Sequence, residues 1–180
     1  MKINESDFVY RGYRCVTTFN DMGYRCGYVA IPQGNILYGK QMTSRLPIKL
    51  DDLQDKEDNK RSPINTLMLA FDDESENSIR VCDYFNVHGG ITWFEDGTTN
   101  HPVEGTNYYW IGFDCGHYRD GRDWDLVEKL WGDKESVQRR IKIEKEYDSF
   151  SCDEIRELDY VQQECKNLVD QIIELVIRLC

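Results

Sequence analysis

Residues 112–125 read GFDCGHYRDGRDWD, which gathers Asp114, Cys115, His117, Asp120, Asp123 and Asp125 around three glycines. Carboxylate, thiol and imidazole in one short stretch are the side chains that bind metals, hold polar ligands or move protons. The chain has only three histidines, and a second one, His88, precedes Gly89-Gly90 in VHGGITW. Glycines let a ligand approach the main chain and leave backbone N–H groups free to donate. The candidate ligand-binding residues are therefore His88, Gly89, Gly90, Asp114, Cys115, His117 and Asp120. In this reading His88 and His117 donate hydrogen bonds and Asp114 orients a histidine.

Two kinds of metal site are open to these residues. His88, Asp114, Cys115 and His117 offer the ligand types of zinc, and Asp114, Asp120 and Asp123 those of magnesium or calcium. Neither set has a diagnostic spacing. HExxH is absent, and Arg122 falls where an EF-hand loop needs a carboxylate. Cys115 and His117 lie two apart, whereas a nucleophile and its base usually come from different elements. The P-loop, dinucleotide-binding and serine-hydrolase signatures are also missing. The sequence thus assigns no cofactor and no catalytic residue, and binding is preferred to catalysis.

The elements that must position these residues can be read from pattern. DFVYRGYRCVTTF and YRCGYVAI are rich in Tyr, Val and Thr and flank the turn signal FNDMG, which predicts a hairpin of two long strands. Gly12-Tyr13-Arg14-Cys15 returns as Gly23-Tyr24-Arg25-Cys26, and we read this echo as chance within the hairpin. Residues 51–63 read as a charged surface loop, INTLMLAF as a strand or buried helix, and DDESEN as a polar turn. IRVCDYFNVHGGITWFE predicts strand structure bulged at its glycines. EDGTTNHPVEG reads as a loop, and NYYWIGFDC as a strand. Asp120 or Asp123 is expected to cap a helix that starts near Trp124 and stops at Gly132, and ESVQRRIKIEKEY resumes helical structure.

The last segment is the clearest. Ser151 to Glu154 has the form of a capping box, and Leu158, Val161, Cys165, Leu168, Ile172, Leu175 and Leu179 then form one apolar helical stripe. The expected fold is α+β, one domain over residues 1–180, with an antiparallel sheet and C-terminal helices packed on one face.

Composition bounds the partners. The net charge is −11, but residues 1–50 carry seven Lys/Arg against three Asp/Glu, so the acidity lies in the rest. An acidic chain is a poor direct partner for nucleic acid, though it could imitate one toward a basic protein. No apolar stretch is long enough to span a membrane. Seven cysteines with no CxxC pair, and no secretory signal, predict free thiols in a cytoplasmic protein.

The order GYVAIP…YGK, VHGGITW, WIGFDCGH with Asp120, and YVQQECKNL resembles a family of small proteins encoded by phages, prophages and some bacterial genomes. The resemblance runs from about Gly27 to Leu168. It implies a phage-linked accessory protein whose signature is His88, Gly89, Gly90, Asp114, Cys115, His117 and Asp120. Gly116 and the Tyr118-Arg119 pair depart from that pattern. The functional expectation is a module in host cytoplasm that binds a small polar ligand or a host protein, with counter-defence as one setting. A metal-dependent hydrolase using His88, Asp114, His117 and Asp120, and an acidic nucleic-acid mimic, are the alternatives.

Overall fold

The structure, a computed structural model, describes residues 1–49, 77–95, 102, 108–148 and 153–179. The expectations for 51–63, INTLMLAF and most of DDESEN and EDGTTNHPVEG lie outside those residues. The first strand-forming stretch is two strands. β1 (Lys2–Tyr10) turns at Arg11-Gly12 into β2 (Tyr13–Asn20), and β2 turns at Asp21–Gly23 toward β3 (Arg25–Ile31). Gly12 and Gly23 both take positive φ, 86° and 82°, so the echoed Gly-Tyr-Arg-Cys marks two successive turns into strands. Arg11, at φ 48°, is the reason the first turn is hard to see: a non-glycine residue fills a left-handed position.

β4 (Arg45–Leu46) pairs with β5 (Ile79–Arg80), which runs directly into α1 (Val81–Tyr84). The chain returns to the main sheet as β6 (Trp93–Glu95) and β7 (Tyr109–Asp114). The main sheet has five antiparallel strands in the order β1-β2-β3-β7-β6. Gly27 sits opposite Phe113 across the β3–β7 pair. A Cβ there would run into the Phe113 ring and lie 2.7 Å from Cys165 Sγ, so this glycine lets ring and helix close on the sheet.

After β7 come β8 (Asp120–Gly121), α2 (Trp124–Trp131), α3 (Glu135–Asp148), β9 (Glu154–Ile155) and α4 (Leu158–Leu179). Asp123 caps α2 by accepting from the Leu126 N–H at 3.0 Å, and Gly132 ends the helix. The capping-box expectation fails. Glu154 belongs to β9, which pairs in parallel with β8, and α4 begins only at Leu158. Strand pairing claims the Glu154 backbone, which leaves it no role as the third residue of a helix.

α4 lays Val161, Cys165, Leu168, Val169, Ile172 and Leu175 on the sheet face that carries Cys15, Val29, Ile31, Ile111 and Phe113. Each large aliphatic group so buried contributes about 1.5–3 kcal/mol. α2 and α3 cover Phe19 on the same face with Trp124, Val127, Trp131, Val137 and Ile141. The chain is therefore α+β, with its helices on one face of an antiparallel sheet. No helix among the described residues is long and apolar enough to cross a membrane.

Candidate functional site

His88 does not lie on a bulged strand. The segment 85–92 leaves α1 as irregular backbone and turns at Val87–Gly90, where the Gly90 N–H donates to the Val87 carbonyl (2.9 Å). Gly89 and Gly90 take φ 65° and 86°, a pair that only glycine adopts without strain. The turn is pinned to α4 by polar groups. The His88 N–H donates to Glu164 Oε2 (2.8 Å) and the Asn86 N–H to Gln171 Oε1 (2.7 Å), while Asn167 and Gln171 donate back to the Asn86 carbonyl.

The junction after β7 is built by its own aspartates. Asp114 Oδ1 accepts from the Gly116 N–H (3.0 Å) and Oδ2 from the Thr92 hydroxyl (2.9 Å), so this residue makes a turn. Its nearest imidazole nitrogen, His117 Nε2, is 3.7 Å away, beyond a hydrogen bond. The orienting carboxylate is Asp120 instead. It is buried, and its Oδ2 accepts from both His88 Nε2 (2.8 Å) and the His117 N–H (2.9 Å). Arg156 Nε donates to Oδ1 (3.1 Å). Burial raises the Asp120 carboxyl, but the bonds from His88, the His117 N–H and Arg156 outweigh it and hold the group below the ordinary carboxylate range.

These bonds also orient the His88 ring. A carboxylate only accepts, so Nε2 carries the proton, and Nδ1 pairs with the Tyr160 hydroxyl at 3.0 Å. Burial pushes the Tyr160 phenol up to about 12, so it keeps its proton throughout the neutral range. Arg156 lies over the Tyr160 ring at 5.0 Å. Both ring nitrogens of His88 are thereby used inside the protein.

His117 joins this cluster from the other side. Its ring centroid lies 5.7 Å from that of His88, at 32° between planes. It rests on Gly89, where a Cβ would land on the imidazole. Its Nε2 is buried without a hydrogen-bond partner. The structure thus brings His88, Gly89, Asp114, His117 and Asp120 together, with Gly90 buried behind the turn. Cys115 is placed apart in function: it is 1% exposed, packs in the main core, and burial foremost pushes its thiol up. It presents no surface to a ligand. Among the described residues, no three His, Cys, Asp or Glu side chains converge as a metal-ion cage.

What faces solvent is the turn between the two clamped residues. The Asp120 N–H donates to the His117 carbonyl (3.1 Å), which closes the loop over Tyr118 and Arg119. Arg119 takes φ 71°, and Tyr118 is 92% exposed. Tyr118 is legible in the sequence as an aromatic residue beside the site, but Arg156, Tyr160 and Glu164 are not read there as parts of it. A usable signal was present in α4: Tyr160, Glu164, Asn167 and Gln171 recur at helical spacing as a polar stripe beside the apolar one. No family model, curated protein or solved structure matches the chain.

Proposed function

We propose that the protein is a binding module that engages a host protein through the Tyr118-Arg119 tip, with the two histidine turns as its rigid mount. The observation that carries this reading is the 92% exposed Tyr118 on a turn locked by Asp120. A left-handed non-glycine residue costs about 1–2 kcal/mol, and Arg119 adopts that conformation beside an aromatic ring held in water. The Arg119 carbonyl accepts from the Glu154 N–H (3.2 Å), so the turn also leads the chain into β8, whereas burial gives no account of a tyrosine ring left 92% exposed. Tyrosine and arginine are the side chains that dominate protein–protein contacts, and a pre-set turn lowers the entropy lost on docking. The phage-type accessory role implied by the motif resemblance, with counter-defence as its setting, fits a module of this kind. A small polar ligand fits less well, because the ring nitrogens of His88 are taken and His117 Nε2 is buried.

The test compares the wild-type protein with Tyr118→Ala, each immobilised and exposed to bacterial extract, followed by titration of the purified retained protein. The expected result is a saturable complex that weakens at least tenfold in the variant, about 1.4 kcal/mol or more, at an unchanged melting temperature. A complex that ignores Tyr118→Ala overturns the proposal. If that complex also dissolves steeply with salt, the acidic-mimic alternative takes its place.

A further inference from the structure

The ladder between β1 and β2 pairs Asn4 with Thr18 and Ser6 with Thr17, so Glu5 is an extra, bulged residue. The bulge gives an edge-strand carboxylate an inward path. Glu5 is largely buried and receives Arg25 in a two-pronged contact, Nε to Oε2 at 2.8 Å and Nη2 to Oε1 at 3.1 Å. Arg25 is itself 5% exposed. Its third nitrogen, Nη1, donates to the Arg156 carbonyl at 3.2 Å, and its own carbonyl accepts from the Cys115 N–H at 2.9 Å. Arg156 in turn holds Asp120.

We infer that Glu5 and Arg25 are positioning residues for the tip, acting through Arg156 and Asp120 on the His88 and His117 turns. The inference rests on the reading of Tyr118-Arg119 as the contact surface. Its physical basis is geometric. β8 and β9 are two-residue strands, too short to fix their own register, so the carbonyl of residue 156 needs an outside anchor. Arg25 supplies it, its guanidinium lying over the Phe19 ring at 5.1 Å and fixed in direction by the two-pronged bond to Glu5. Asp123 and Glu157 lie 3.8 Å from Arg25, too far to set that direction by hydrogen bonds. The bulge therefore lets an edge strand determine where an exposed turn more than a hundred residues later points.

Native-state amide exchange on the full chain tests this without any partner. Glu5→Gln should speed exchange at the His117 and Glu154 amides about tenfold or more, the loss expected of a charged hydrogen bond. Amides of β3 and β7 should keep their rates. Asp7→Asn removes the Asp7–Arg14 pair of β1 and β2, which is likewise two-pronged but exposed and makes no contact with Arg156 or Asp120, and should leave His117 unchanged. Glu5→Gln and Arg156→Gln should be non-additive at His117, because they cut one chain of contacts. Unchanged His117 exchange in Glu5→Gln overturns the inference, as does acceleration in step with the core. If the relay holds but Tyr118→Ala leaves the complex intact, the positioning stands and the contact surface is elsewhere.

Discussion

Asp120 is the residue on which the site turns, because one buried carboxylate holds two turns from different parts of the chain. Removing its charge leaves three donors, from His88, His117 and Arg156, facing a weaker acceptor. Asp120→Asn is therefore expected to cost about 1–3 kcal/mol, read in a urea titration, and to release the His88 ring from its set orientation. The pH dependence has a definite sign. The folded-state carboxyl lies below its ordinary value of 3.8, so its contribution is present above that pH and is lost as pH falls further. In acid titrations the wild type should lose stability below about pH 4 more steeply than Asp120→Asn. Equal slopes would remove Asp120 from the network.

Gly89 is a second test at the residue scale. An alanine there meets two obstacles: φ of 65° and the His117 ring in the space its Cβ needs. The backbone term alone costs about 1–2 kcal/mol, and the ring must move whatever the backbone does. The expected signature is a displaced His117 imidazole resonance with His88 still bonded to Asp120. A variant with both imidazoles unperturbed would show that the His117 ring does not rest on Gly89.

At the scale of elements, α4 serves two surfaces at once. Its apolar side closes the core, and its polar stripe grips residues 86–88. The two should separate in mutants. Leu168 is 0% exposed, so Leu168→Ala should cost about 2–5 kcal/mol in denaturant while the chemical shifts of His88 stay native. Glu164→Gln should do the reverse, with a small stability change and a perturbed His88 amide, because it alters the acceptor of that N–H alone. If Leu168→Ala cost under 1 kcal/mol, the site would have to be held by something other than α4's packing.

Across the whole molecule, the thiols report on integrity. Cys15, Cys26, Cys115 and Cys165 are free and buried, and Cys82 is half-buried. Burial foremost raises each of them: Cys15 to about 12, Cys26 and Cys82 to about 11, with Cys115 and Cys165 well above the usual thiol range. At neutral pH the native protein should label with iodoacetamide at Cys82 before the other four, whose labelling should wait for unfolding. Fast modification of Cys165 would mean that α4 leaves the sheet readily.

The sequence by itself determined the elements whose signal is local. The stripe of α4, an aspartate cap at Asp120 or Asp123 for α2 and the strand character of β3 and β7 all follow from side-chain period and from bonds between near neighbours. It also marked the two histidine turns, since glycine beside histidine at two places is visible in one dimension. Their roles were decided only by tertiary structure. Whether Asp114 or Asp120 orients a histidine depends on which carboxylate β8 carries into the interior, and that is set by pairing with β9, 34 residues downstream. Cys115 reads as a ligand until the β7 alternation is given a face, and α4 supplies that face. Glu5 carries no signal in the sequence, because a bulge leaves no mark in composition. In each case local pattern proposes a side-chain direction, and burial against a distant element fixes which direction can be satisfied.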